Sequence, residues 1–361
     1  MRFKLVVACG GTGGHAFPGL AAAKELADRG HDVTVWMSGR DVESSVLKGW
    51  EGPVFATGAR QLSLKNAFAN LRAILRCRKE MRRAKPDALL AMGSYSSLPP
   101  VLAATGCKVP VVLHEANTVP GRAVDMLSSM AKAVAISFEE TAKHFPGKET
   151  VLTGLPVRTD IAGQPRFEDI PDDAFCVFVT GGSQGAHRVN EIASRALLLL
   201  NKDLSKIGRR LHVIHQTGAK DAEWVAETYE EAGIPARVNA FEHEMGRAMS
   251  TAHVVVARAG ASTCFELALT GRPAFLIPLP SAMRNHQHYN AAAFASKLAA
   301  AEGVQDDLTP GALAKWLFHK AVHIGSLLEM AGNMKSMAVP DAAGRVADLV
   351  ERIAGGDRSD G

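Results

Sequence analysis

The sequence predicts an α/β protein built as two doubly wound, parallel-sheet domains, and three observations lead there. Apolar runs of strand length alternate with segments of helical periodicity along most of the chain, which is the pattern of strand-helix-strand units in a parallel sheet. Two of these runs, Leu5-Val6-Val7-Ala8-Cys9 and Phe175 to Thr180, each end in a glycine-rich turn that opens a helix, as a nucleotide-binding fold does at its first crossover. The two turns lie about 170 residues apart, an ordinary domain spacing.

Composition agrees. At 361 residues, 47% apolar and 22% charged, the chain can fill two cores. Five scattered cysteines without a Cys-x-x-Cys pair suit a reducing compartment and imply no disulfide framework. Glycines cut the first apolar run too early for a signal peptide. The uncharged stretch from Ala88 to Cys107 is interrupted by Gly93, the serines at 94, 96 and 97, and Pro99-Pro100, so no membrane span is expected. A net charge of +4 is mild and gives no reason to expect a nucleic-acid partner.

Taken in order, the first glycine turn leads into a helix ending near Gly30. A strand follows at His31 to Met37, and a short one at Pro53 to Ala56. From Leu64 to Arg83, Phe68, Leu71, Ile74, Leu75 and Met81 recur at helical spacing while Arg72, Arg76, Arg78, Lys79, Arg82 and Arg83 cover much of the rest: a basic amphipathic helix. Strands are expected at Asp87 to Ala91, Val109 to Leu113 and Ala133 to Ile136. The linker should fall within Leu155 to Asp172, where prolines and glycines cluster without periodicity. The pattern then restarts, with strands at Phe175 to Thr180, Leu211 to His215, Ala236 to Asn239, His253 to Ala257 and Ala274 to Ile277. The domains are therefore taken as 1–160 and 161–337. A last helix at about 338–354 is a candidate to cross back to the first domain, and 355–361 reads as a flexible tail. Ligands of such sheets bind at the carboxyl ends of the strands, so a site in a cleft between facing domains is expected.

Four constellations carry chemistry. The loop Gly10-Gly11-Thr12-Gly13-Gly14-His15 offers backbone N–H groups and a helix N-terminus to phosphate, and His15 adds a group that titrates near neutrality, fit for a general base or a phosphate donor. It lacks Gly-Lys-Ser/Thr, so it is no P-loop, and the second strand ends in Trp36-Met37-Ser38 with the nearest acid, Asp41, beyond it, which disfavours a dinucleotide. Arg258-Ala259-Gly260-Ala261-Ser262-Thr263 opens another helix with Glu266 one turn on, placed to accept from two ribose hydroxyls; the plain alternative is an N-cap at Ser262. Asn285 to Asn290 supplies amide and imidazole donors suited to sugar hydroxyls, or simply a polar helix start. His114-Glu115-Ala116-Asn117 follows a strand end, facing the cleft or forming a solvated turn.

Together with Gly154-x-Pro156-Val157-Arg158, Gly181-Gly182-Ser183-Gln184-Gly185-Ala186 and Gln287-x-x-Asn290, these motifs occur in an order that resembles the bacterial cell-wall N-acetylglucosaminyltransferases, the MurG family, over nearly the whole chain. The resemblance implies a GT-B fold and transfer of GlcNAc from UDP-GlcNAc to the MurNAc 4-hydroxyl of lipid I, giving lipid II. It implies donor contacts from Thr12, Gly13, Gly14, Asn117, Arg158, Ser183, Asn190, Arg258, Ala261, Ser262, Thr263, Glu266 and Gln287, an acceptor side with Tyr95 and His114, and His15 as base with Glu115 as its rival. Ala116, Leu155, Ser94, His286, Val124 and Glu242 depart from the family's usual residues. The α-linked donor and β-linked product imply one inverting displacement, which needs a base and charge stabilisation but no covalent nucleophile. No Asp-x-Asp cluster is present, so no cofactor and no metal requirement is expected. The lipid-linked acceptor implies peripheral attachment at the cytoplasmic face of the membrane, and the basic helix 64–83 is the expected contact with anionic lipid, an ordinary solvated helix face being the plain alternative. The alternatives are another GT-B enzyme, either a natural-product glycosyltransferase or a UDP-GlcNAc 2-epimerase, and a non-catalytic nucleotide-sugar-binding regulator.

Overall fold

In a computed structural model of the chain, residues 1–11, 13–39, 47, 49–61 and 63–356 are described. Thr12, Asp41 and the tail from 357 lie outside them, as does the side chain of Leu64. The chain divides into two compact units, one of Met1–Arg158 joined by the stretch from Val339 onward, the other Thr159–Ala338.

The first unit contains β1 (Lys4–Ala8), α1 (Gly13–Asp28), β2 (Asp32–Met37), β3 (Val54–Ala56), α2 (Ala67–Ala84), β4 (Ala88–Ala91), α3 (Leu98–Gly106), β5 (Val111–Glu115), α4 (Arg122–Leu127), β6 (Ala133–Ile136) and β7 (Glu149–Leu152). The second runs through β8 (Phe175–Thr180), α5 (His187–Lys206), β9 (Leu211–Gln216), α6 (Ala222–Glu231), β10 (Ala236–Asn239), α7 (Met245–Thr251), β11 (Val254–Ala257), α8 (Ala261–Thr270), β12 (Ala274–Leu276), α9 (His286–Ser296), β13 (Ala300–Glu302), α10 (Pro310–Val322) and α11 (Ile324–Ser336). The last helix, α12 (Ala342–Gly355), belongs to the first unit.

Both sheets are parallel and doubly wound, in the orders β3-β2-β1-β4-β5-β6-β7 and β10-β9-β8-β11-β12-β13. Successive side chains of a strand point to opposite faces, so β1 is buried on both. Val7 joins Val35, Leu90 and Val112 under α1 and α12, which contribute Leu26, Val346 and Val350. Val6 joins Trp36, Leu89 and Leu113 under α2 and α3 on the other side. In the second unit Val177, Val179, Val213 and Val256 pack against Val189, Ala193 and Leu197 of α5 and Leu313 and Leu317 of α10.

Several expectations need correction. The strand expected at Val109 to Leu113 is Val111–Glu115, because Lys108 turns with φ +60° and Pro110 has no N–H for the ladder. His114 and Glu115 are therefore strand residues. On α2, Phe68, Leu71 and Leu75 lie 65%, 52% and 58% exposed, and the buried stripe is Asn70, Ala73, Cys77 and Met81. The apolar spacing was real, but two apolar stripes run along this helix and only one meets the sheet. Strands β7 and β13 were not anticipated, the last helix starts at Ala342 rather than 338, and the 163–174 segment is held to the second unit by buried Phe167 and Ile170.

Candidate active site

Every motif named above lies at the carboxyl end of a strand, where a parallel sheet leaves free backbone groups and helix N-termini. In the first unit, Gly11 takes φ +118°, and a Cβ there would sit 2.8 Å from Ser94 Oγ. Only glycine fits. The Gly10 carbonyl accepts from the hydroxyls of Ser94 (2.6 Å) and Ser96 (2.5 Å), which come from the turn after β4. These serines fix the loop, and α1 begins at Gly13 with Gly14 and half-buried His15 in its first turn. Tyr95 sits between the two serines in a single 3₁₀ turn, its hydroxyl buried.

Glu115 ends β5 at 3% exposure. Its Oε1 accepts from the Asn117 backbone N–H (2.8 Å) and amide (3.1 Å), and its Oε2 from the Gly121 N–H (2.9 Å). Burial pushes its pKa up to about 7 against the opposing pull of those bonds. Both oxygens are committed to folding the 117–121 turn, so Glu115 positions that turn instead of facing a solvated connection. His114, 0% exposed, bonds through Nε2 to the Gly154 carbonyl at 3.1 Å, and burial holds its pKa down to about 4. The imidazole is neutral at pH 7 and anchors the Gly154 to Arg158 segment. At the end of that segment the Arg158 guanidinium lies 5.7 Å from the centre of the Phe17 ring on α1, within reach of a cation–π contact.

In the second unit the turn after β8 interlocks with the turn after β9. Gly185 takes φ +73°, and a Cβ there would stand 1.9 Å from the Thr217 carbonyl oxygen. Gln216 donates to the Gly182 carbonyl at 3.0 Å. Ser183 stands exposed at the loop's crest. Asn190, expected to touch the donor, is corrected: it is 0% exposed, its amide donates to the Thr217 carbonyl (2.8 Å) and Asp221 (2.7 Å), and its Oδ1 pairs with His215 at 3.2 Å. It supports the loop from behind.

Helix α8 is capped by the Gly260 backbone, not by a Ser262 side chain. Its first three N–H groups, of Ala261, Ser262 and Thr263, precede the first intrahelical bond, Cys264 N–H to Gly260 O, and so suit phosphate oxygens. Glu266 is half-buried one turn on. Arg258 is also corrected. It is 8% exposed, and its guanidinium donates to the carbonyls of Ile277 and Pro278 (both 3.1 Å) and to Gln305 (2.6 Å), which ties the ends of β11, β12 and β13 together. Burial lowers its pKa. Gln287 accepts the Leu279 N–H at 3.0 Å, which fixes its carboxamide and turns the amide donors the other way. Glu242, where the resemblance implies an apolar residue, is buried with both oxygens held by Asn239 and the Glu244 N–H.

The supporting groups Ser96, Gln305 and Asp221 were not found from sequence. Ser94 and Ser96 stand out in the sequence only as breaks in an uncharged stretch, Ser94 also as a departure from the family, and no motif marks Gln305 or Asp221.

Two family models match: the glycosyltransferase family 28 N-terminal domain over residues 5–136 and its C-terminal domain over 176–346. The chain is 36% identical over 357 residues to the UDP-N-acetylglucosamine--N-acetylmuramyl-(pentapeptide) pyrophosphoryl-undecaprenol N-acetylglucosamine transferase of Geobacter metallireducens, covering 96% of this chain and 97% of the relative. It is 37% identical to the enzyme of the same name from Brucella melitensis, covering 98% and 94%. Among solved structures, MurG of Acinetobacter baumannii superposes with a TM-score of 0.79 at 32% identity, covering 98% and 100%. With two Rossmann-like sheets of the GT-B type and likeness along its whole length, the chain belongs to glycosyltransferase family 28 and, within it, to the MurG family.

Proposed function

We propose that the chain transfers N-acetylglucosamine from UDP-GlcNAc to the MurNAc 4-hydroxyl of lipid I. The observation that carries this reading is the whole-length likeness to transferases named for that donor and acceptor. Inversion at the anomeric carbon needs one base and a sink for the charge of departing UDP. His15, in the first turn of α1, is assigned the acceptor proton. The N-terminal N–H groups of α8 with Ser183, Ser262 and Thr263 are assigned the diphosphate, Arg158 its remaining charge, Glu266 the ribose and Gln287 the sugar. Gly13, Gly14 and Asn117 complete the donor contacts, and Tyr95 lies on the acceptor side. These donors supply the charge stabilisation without a metal, so turnover persists in EDTA.

The exposed stripe of α2 is assigned to the membrane surface. Phe68, Leu71 and Leu75 face outward, and exposed Arg72, Arg76, Arg78 and Arg82 stand around them. Apolar insertion with cationic flanks is the chemistry of a helix lying in an anionic interface. Among the described residues no helix is long and apolar enough to cross a membrane, and peripheral attachment at the cytoplasmic face matches the lipid-linked acceptor.

The test is incubation with radiolabelled UDP-GlcNAc and a short-chain lipid I analogue. The expected product is a lipid-linked disaccharide. Donor consumed without acceptor points to an epimerase, and binding without turnover points to a regulator; either sinks the proposal.

A further inference from the structure

We propose that the second unit carries a binding site for a phosphate-bearing anion at the amino ends of its strands, built from Arg166, Arg237, Arg247 and Arg272 with His212 and His253. The donor loops follow the carboxyl ends of the same strands. A six-residue strand such as β8 separates the two ends by about 20 Å, so this site is distinct from the one assigned to UDP.

Hydrogen bonds and ring contacts bring the cations together. The Phe167 N–H donates to Thr251 Oγ1 at 2.9 Å, and Arg247 donates to the Arg166 carbonyl at 3.2 Å. The guanidinium carbons of Arg237 and Arg247 lie 4.0 and 4.6 Å from the centre of the one Phe167 ring. Arg272 donates to the Ala252 carbonyl at 3.1 Å, next to His253, whose Nδ1 accepts the Cys176 N–H at 3.0 Å.

Carboxylates answer this charge only from outside. Asp172, Asp169 and Glu244 pair with Arg166 (3.4 Å), Arg237 (2.9 Å) and Arg247 (2.9 Å), and each is more exposed than the arginine it meets. Water and salt screen such pairs. Among the described residues no carboxylate pairs with Arg272.

The inner side has donors in excess. Nε of all four arginines, Nη2 of Arg166 and Nε2 of His212 are buried with no hydrogen-bond partner, and His212 is only 9% exposed. Burial, and after it the charges of Arg166, Arg209 and Arg272, hold the His253 pKa down to about 4. Buried polar groups are normally bonded, and clustered like charges destabilise a fold unless a counter-charge joins them. A ligand with several anionic oxygens on one centre meets both demands, since guanidinium forks match phosphate oxygens. A carboxylate offers two oxygens to this many donors; a phosphate offers three or four.

The test is NMR of the His212 and His253 imidazole signals in the full chain, titrated with sodium phosphate while sodium chloride keeps ionic strength constant. These signals report this end of the sheet even if phosphate also enters the glycine loops. The expected result is saturable shifts half complete below about 10 mM, weakened at least about fivefold by Arg166→Gln or, if that variant folds poorly, by Arg247→Gln. Co-sedimentation with phosphatidylglycerol against phosphatidylcholine vesicles separates the sources: loss of phosphatidylglycerol binding in Arg166→Gln identifies a lipid headgroup, and unchanged vesicle binding beside saturable shifts identifies a free phosphate. Shifts that chloride reproduces, or that both folded variants retain, together with unchanged vesicle binding, overturn the proposal.

Discussion

His15 and Glu115, the two candidates for the base, stand in different surroundings. Glu115 has both oxygens bonded to the turn it precedes, whereas His15 stands in the first turn of a helix at the glycine loop. His15→Ala should therefore lower kcat by about 10² to 10⁴ with little change in KM, the usual worth of a general base. Glu115→Gln sets an amide N–H₂ against the Gly121 N–H, donor against donor, at a cost of about 1–3 kcal/mol. It should raise the donor KM through Asn117 and reduce kcat less. Steady-state kinetics of both variants decide, and a pure kcat loss in Glu115→Gln larger than that of His15→Ala would reverse the assignment. Buried histidines also set a pH limit. The pKa of His114 falls from 6.5 to about 4 and that of His215 from 6.5 to about 3, both chiefly by burial. Below pH 6.5 the unfolded chain takes up protons that the folded chain refuses, so this part of stability is full above pH 6.5 and is lost as pH falls toward 4. For His114 it amounts to about 3 kcal/mol. Urea midpoints of the wild type should drop between pH 7 and 5, with a shallower slope in His114→Gln; parallel slopes would show that His114 does not set the limit.

At the scale of elements, the glycine turn after β8 depends on its neighbour. Gly185→Ala would drive a Cβ into the Thr217 carbonyl at a φ that alanine resists. A loss of about 2 kcal/mol or more and a donor KM raised at least about tenfold are expected; a variant with unchanged KM and melting temperature would show that the two turns are not locked. The strands that build this arrangement were mostly legible, because runs such as Phe175 to Thr180 are apolar throughout and end at glycine. Strand β13, Ala-Ala-Glu, was not, since three residues carry no alternation and little β preference. Strand order was also beyond reach, being set by packing between distant segments. Within the site, sequence placed Thr263 and Glu266 at a helix start and Ser183 in a glycine loop, but it did not show that Asn190 and Arg258 are buried behind such loops. A polar residue beside a glycine loop has the same signature whether it touches a ligand or holds the loop from behind, and only burial separates the two.

For the whole molecule, the proposed contact with a membrane surface rests on α2. Its buried stripe, Asn70, Ala73, Cys77 and Met81, is modest, while its outer stripe is apolar and flanked by arginine. Each cation near an anionic surface contributes about 1 kcal/mol. Charge reversal at Arg72, Arg76 and Arg78 together should cut binding to anionic vesicles at least about tenfold, and Leu71→Ser with Leu75→Ser should weaken it on neutral vesicles as well. Binding that ignores both changes would detach α2 from the membrane. The path of the chain carries a different consequence. It leaves the first unit after Arg158 and returns at Val339, where Gly154 lies so close that a Cβ would touch the Val339 side chain. Helix α12 then lays Val346, Ala347 and Val350 into the core beneath β1 and β4, and Arg29 secures it through Asp348 and Glu351. On the ribosome, therefore, the unit begun first is finished last: the second unit's sheet and helices are already synthesised while the first still waits for the helix that closes its core.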